Sequence, residues 1–168
     1  MKLSSRARYG LKLMLQLAKA ADPDANLSIG QIASKTLLSR RYLEQLAVGL
    51  KNASLITATT GREGGYRLAK PSGDITIREI VEASIGPISI VGCVGEPDAC
   101  MWSETCECRP LYSLINNGIT AVLDGFSLAD MVRTDLAERV AIETDKKRAS
   151  PAGGGADPTD QGATGCPG

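Results

Sequence analysis

Apolar residues recur along the first half of the chain at helical spacing and then in short β-like runs. Leu11, Met14, Leu15 and Ala18 follow i, i+3, i+4, i+7. They predict a helix over about 5–20, capped by Ser5 and stopped at Asp22-Pro23-Asp24. Ser28 opens a second, short helix with Gln31 at the capping-box position and Ile29, Ile32 and Ala33 inward. After a turn near Leu37, Ser39 opens a third helix whose buried stripe is Leu43, Leu46, Ala47 and Leu50. Arg40, Arg41, Glu44, Gln45 and Lys51 are left facing out. Ile56-Thr57-Ala58-Thr59 and Tyr66-Arg67-Leu68-Ala69 predict two short strands, joined by the glycine-rich loop Gly61-Arg62-Glu63-Gly64-Gly65. Pro71-Ser72-Gly73 closes that unit, and Thr76 caps a helix through Ser84 with Ile77, Ile80 and Val81 inward.

The pattern then lapses. Residues 86–109 hold Gly, Pro and four cysteines with little periodicity, which predicts a long irregular loop of the kind that carries function. Helical spacing returns at Pro110. Leu111, Leu114, Ile115, Ile119, Val122, Leu123 and Phe126 give more apolar surface than one inward stripe needs. Ser127 caps a last short helix to about Glu138. From Glu143 the chain is rich in Ala, Gly, Pro, Asp and Thr and reads as a disordered tail. The predicted organisation is a DNA-reading domain over 1–84, a cysteine-rich loop over 85–109, a dimerisation helix and short helix over 110–142, and a tail over 143–168. The fold class is mainly α with a small β wing, because three helices followed by a hairpin is the order of a winged helix-turn-helix.

Charge sharpens that picture. The 168 residues carry 19 basic and 19 acidic side chains. Residues 1–70 hold twelve Lys/Arg against four Asp/Glu, a net +8, and the remainder is −8. A basic first half that coincides with a DNA-reading element order points to a polyanion. The chain has no histidine, which excludes Ser–His–Asp and Cys–His catalysis and His-ligated zinc. No apolar run reaches transmembrane length, and Lys12 and Lys19 interrupt any signal-peptide core, so a cytoplasmic protein with reduced thiols and no membrane partner is expected.

The third helix is the recognition helix of this reading. Arg40 and Arg41 stand at its start, where Arg suits the O6/N7 acceptors of guanine. Gln45 can pair with adenine and Glu44 can accept from the cytosine amino group. Ser39 offers a backbone N–H to a phosphate at the helix N-terminus, and Arg62 offers a cation at the wing tip. Three alternatives stay open. These charges could be a merely solvated face, Glu44 could pair with Arg40 or Arg41, and Tyr42 could be a core residue or a phosphate contact.

Cys93, Cys100, Cys106 and Cys108 form C-x6-C-x5-C-x-C. Four thiolates within 16 residues can close round a soft metal centre, an iron–sulfur cluster or zinc. The paired C-x2-C knuckles usual for structural zinc are missing, and wide, unequal gaps favour a cluster. A 2Fe–2S cluster is preferred, with 4Fe–4S the alternative. Glu104 and Glu107 are oxygen substitutes for the fourth position, and a redox disulfide or inert thiols are the remaining readings. Cys166, among Gly and Pro near the end of the chain, reads as a bystander.

These residues together resemble the IscR/NsrR family of winged-helix regulators. The resemblance rests on Met1 to Gly10, on Ser39-Arg40-Arg41-Tyr42-Leu43-Glu44-Gln45-Leu46, on Gly64-Gly65-Tyr66-Arg67-Leu68-Ala69-Lys70-Pro71 and on the cysteine loop, covering about 1–138. It implies a homodimeric transcription regulator that binds an iron–sulfur cluster and senses cluster supply, redox state or nitric oxide, with Cys93, Cys100 and Cys106 as ligands. Members of that family take a fourth ligand from a histidine three residues past the third cysteine or from an aspartate in the first helix. Here those places hold Arg109 and the basic Arg6 and Arg8, so Cys108 is the candidate fourth ligand. The wing position that is often arginine in the family is Thr60, with Arg62 two residues on. The resulting expectation is a non-enzymatic repressor that binds a double-stranded operator as a homodimer, under cluster control. The rivals are a metal-free thiol switch and a zinc or iron–sulfur redox protein.

Overall fold

The computed structural model describes residues 3–20, 25–61, 64–96, 98, 100–101 and 105–149, without the side chains of 147–149. Eight helices and one two-stranded sheet are defined among them. The first three helices are α1 (Ser5–Ala18), α2 (Ile29–Thr36) and α3 (Arg40–Asn52). The antiparallel strands β1 (Ile56–Thr59) and β2 (Gly65–Leu68) follow, then a short 3-10 turn. After them come α4 (Ile77–Ile85), α5 (Gly92–Gly95), α6 (Arg109–Asp124), α7 (Leu128–Val132) and α8 (Leu136–Ala149). Residues up to Arg133 form one compact unit, and those from Thr134 form another.

Local chemistry starts most of these helices. Ser28 and Gln31 close a reciprocal capping box on α2, as the spacing predicts, and Thr76 with Glu79 does the same on α4. The α3 cap is Ser39, whose Oγ accepts from the Tyr42 N–H at 3.3 Å. For α1 the cap is Ser4 rather than Ser5. Its Oγ accepts from the Ala7 N–H at 3.1 Å, three residues on, and Ser5 is the first helical residue. Gly86, at φ 92°, ends α4 where a side chain would be strained.

The core is made by α1, α3 and α4. On α3, Leu43, Leu46, Ala47 and Leu50 are all buried, and each leucine contributes about 1.5–3 kcal/mol by leaving water. The α1 stripe differs from the expected one. Ala7, Gly10, Leu13, Met14 and Leu17 are the buried set, while Leu11, Leu15 and Ala18 lie partly buried at its edge. The reason is that small residues mark the closest approach. A Cβ at Gly10 would strike the Ser84 hydroxyl, and a Cβ at Gly49 of α3 would strike the Ala83 carbonyl oxygen. Thus α4 closes onto both other helices through positions with no side chain. Ser84 is buried but satisfied, because its hydroxyl donates to the Ile80 carbonyl at 2.8 Å.

The hairpin pairs Ile56 with Leu68 and Thr59 with Gly65, and Leu27 adds an isolated bridge to Tyr66. The wing is therefore tied near its turn to the segment before α2. Beyond its open end, the Lys70 ammonium donates to Glu79 of α4 at 2.7 Å. Burial pushes the Glu79 carboxyl up, but the Lys70 hydrogen bond and charge and the Thr76 bonds outweigh it and hold it below the usual carboxylate range.

The C-terminal half departs most from expectation. A four-residue helix, α5, sits inside the segment read as irregular. The expected single helix from Ser127 to about Glu138 is broken at Arg133–Asp135, giving α7 and α8. Residues 143–149, read as the start of a disordered tail, are helical in α8. That helix has no apolar stripe to show in the periodicity, and it rests on good helix formers and pairs such as Glu143–Lys146. The rest of the predicted tail lies outside the described residues. Leu128 of α7 is wholly buried in the core, and Thr76 and Ser127 form a bridge, with the Leu128 N–H donating to the Ile75 carbonyl at 2.8 Å. Gly49→Ala is expected to destabilise the fold by about 1–3 kcal/mol in urea denaturation, because backbone carbonyls yield little to an added methyl.

Candidate nucleic-acid interface and cysteine segment

Helices α2 and α3 are joined by a three-residue turn whose geometry is set by Leu37. This residue is left-handed, φ 59° and ψ 30°, and its N–H donates to the Ala33 carbonyl at 2.9 Å. Its side chain is 91% exposed, so nothing packs against it in return for the strained backbone. Ser39 follows and caps α3. Its hydroxyl is engaged there, which leaves the N-terminal backbone rather than the side chain for an anion.

Arg40, Arg41, Glu44 and Gln45 are all exposed on α3. The two arginines are held differently. The Arg40 guanidinium lies over the first turn of α2, where a Cβ on Gly30 would stand 3.3 Å from its Nη2. Arg41 faces outward with no such cover. Among the described residues, no ion pair joins Glu44 to either arginine. Tyr42 is half-buried and meets Tyr9 of α1 edge to face, with ring centres 5.8 Å apart and planes at 88°. Arg8 and Lys12 both stand over the Tyr9 ring, at 5.8 and 5.7 Å. The Tyr42 ring therefore packs α3 against α1 and a basic edge. Arg62, proposed for the wing tip, lies outside the described residues.

The cysteine segment leaves α4 and is pinned at its start. The Ile88 N–H donates to Glu82 at 3.4 Å. The Ile90 N–H donates to the Oδ1 of Asn116 at 3.1 Å, and Asn116 is the one buried residue of α6. Arg78 binds Glu82 at 3.1 Å and Asp124 at 3.0 Å, which spans α4 and α6. These hydrogen bonds hold the Arg78 guanidinium above its ordinary pKa. The sequence reading passed over Asn116, although a polar pair within Leu114-Ile115-Asn116-Asn117 interrupts an otherwise apolar run and was the available signal.

Within the segment, Cys93 lies in α5, Cys100 and Cys106 lie in the connection, and Cys108 precedes the first turn of α6. The first three are half-buried, Cys108 is exposed, and all four are free thiols. Their chemistry suits an iron–sulfur cluster, which thiolates hold. Their placement does not gather them. Among the described residues, no three Cys, His, Asp or Glu side chains come close enough to share a metal ion. Glu104 and Cys166 lie outside the described residues.

Comparison with known proteins gives the family. Residues 3–134 match the Rrf2 family model, described as an iron-dependent transcriptional regulator. The HTH-type transcriptional regulator CymR of Bacillus subtilis is 36% identical over 131 residues, covering 78% of this chain and 89% of that protein. The crystal structure of an oxidized form of Staphylococcus aureus CymR superposes with a TM-score of 0.61 at 34% identity, over 79% of this chain and 97% of that one. The structure of T. potens IscR gives 0.60 at 26% identity, over 91% and 94%. Like these, the chain has a mainly helical winged-helix fold. Arg41→Ala is expected to weaken binding to a specific operator by about 1–3 kcal/mol and to relax base preference. Quantitative gel shift on matched and mismatched duplexes checks it, and Arg40→Ala should cost less because that side chain rests on α2.

Proposed function

The chain belongs to the Rrf2 family of transcription regulators, and from that premise we propose that it is a homodimeric repressor whose grip on DNA is set at the cysteine segment by an iron–sulfur cluster. It is a regulator and not an enzyme. The observation that carries the proposal is the seat of α4. This helix is packed closely on α1 at Gly10 and on α3 at Gly49, and its last turn runs directly into the segment bearing Cys93. A rearrangement in that segment has one rigid element to cross before it reaches the DNA-reading helix, and the two ends of a helix shift together.

In this reading each residue has a role. Arg41, Glu44 and Gln45 meet base edges, and the N-terminus of α3 at Ser39, with Arg40 and Arg62, meets phosphates. Cys93, Cys100 and Cys106 hold the cluster, with Cys108 as the fourth ligand. When bound, the cluster supplies an oxidation-sensitive centre. The chain's own part is to present three half-buried thiols and to tie their segment to α4 and α6 through Glu82 and Asn116. A DNA partner implies a cytoplasmic place of action, and among the described residues no helix is long and apolar enough to cross a membrane.

The homodimer rests on α6. It exposes Leu111, Leu114, Ile115 and Val122, with Leu114 at 69%. A continuous apolar face on a 16-residue helix is matched by a second copy of itself, and a two-fold protein reads a two-fold operator. Replacing Leu114 and Val122 with Asp is expected to give monomers by sedimentation and to abolish operator binding. Wild-type protein that is monomeric at micromolar concentration removes the dimer.

A second reading is supported by the ungathered thiols and by the oxidized form in which a CymR relative was solved. In it, the cysteines act as a metal-free thiol switch. Anaerobic purification separates the two. The cluster reading expects coloured protein containing iron and sulfide, bleached by each of Cys93→Ala, Cys100→Ala and Cys106→Ala, and labile in Cys108→Ala. Colourless, iron-free protein whose DNA binding responds to thiol oxidants establishes the thiol switch instead.

A further inference from the structure

The exposed face of α3 contains one apolar side chain that neither the core nor the proposed base contacts use. Val48 is 60% exposed. At about 100° per residue it lies about 160° round the helix from buried Leu50, near the middle of the outward face. Arg41, Gln45, Val48 and Asn52 fall within about 60° of one another, with Glu44 at their edge. All of those neighbours are polar and exposed. A β-branched apolar residue here lowers helix propensity and leaves apolar surface in water, and both costs fall on the face that the proposed function turns to DNA.

In the major groove, the base edges that suit arginine, glutamine and glutamate are hydrogen-bonding edges, and one feature is apolar: the C5-methyl of thymine. We propose that Val48 is a specificity-determining residue whose isopropyl group seats against a thymine methyl in each half-site, beside the bases met by Arg41 and Gln45. The proposal rests on α3 being the groove-reading helix. It adds a base preference that no charged residue on the face supplies. The alternating character of the face then matches a mixed site in which a thymine stands next to a base read by hydrogen bonds.

The test uses full-length protein purified anaerobically and a duplex recovered by that protein from a random pool. Each thymine is replaced in turn by deoxyuridine, which removes only the methyl, and affinity is read by fluorescence anisotropy. Wild type is expected to lose about fourfold at one thymine per half-site, the value of one buried methyl group. Val48→Ser should bind the thymine duplex about as weakly as wild type binds the uracil one and should not distinguish the two. Val48→Ile, which keeps the apolar surface at a solvent-exposed position, should restore the distinction. Wild type indifferent to uracil at every position, or Val48→Ser with the wild-type thymine profile, overturns the proposal while leaving DNA reading intact. Recovery of no preferred duplex overturns the DNA reading itself and this inference with it.

Discussion

The close seating of α4 against α1 and α3 is the constraint on which the rest of the molecule depends. Two glycines, Gly10 and Gly49, remove the side chains that would hold the helices apart, and Ala83 and Ser84 fill the space from the other side. Such contacts fix distance and rotation together, because a packed interior responds to a volume change of a single methyl. Helix α3 is thus placed by backbone proximity as much as by its leucine stripe.

The same constraint separates what could be read in the sequence from what could not. Helices α2 and α3 and strand β1 were legible because local signals agreed with burial: the Ser28–Gln31 box, the Ser39 cap, the four-residue stripe of α3 and the β-branched run from Ile56. The α1 face was misread because Leu11, Leu13, Leu15 and Leu17 fall on several sides of the helix and satisfy more than one stripe, while its closest contact is made by Gly10, which offers no hydrophobic signal. The α8 helix escaped for the opposite reason, since it is helical without an inward stripe. The candidate DNA face was legible in its charged members. Val48 was not, because a lone valine among polar neighbours carries no charge or hydrogen-bonding signal, although the leucine stripe of α3 already turns it outward.

Tyr42 illustrates what packing adds to a residue whose spacing serves two roles. Its position on α3, between Arg41 and Leu43, is on the boundary of the buried and exposed faces, so spacing alone serves a core role and a phosphate role equally. The edge-to-face contact with Tyr9 turns the ring toward α1, and it links α3 to the basic side chains of Arg8 and Lys12. Offset aromatic pairs of this kind contribute about 0.5–1.5 kcal/mol beyond their buried area.

The pinned ends of the cysteine segment bear on how such a chain diversifies. Ile88 and Ile90 are held on one side by Glu82 and Asn116, and on the other α6 returns to the core through the Thr76–Ser127 bridge and buried Leu128. Between those anchors the segment is a closed loop, and closing a loop twice as long costs only about 0.6 kcal/mol more. Insertions, deletions and exchanged side chains between Val91 and Cys108 therefore leave the anchors, and the helix geometry they hold, almost untouched. Selection can change the length and side chains of the cysteine segment while the helices on either side of it stay as they are.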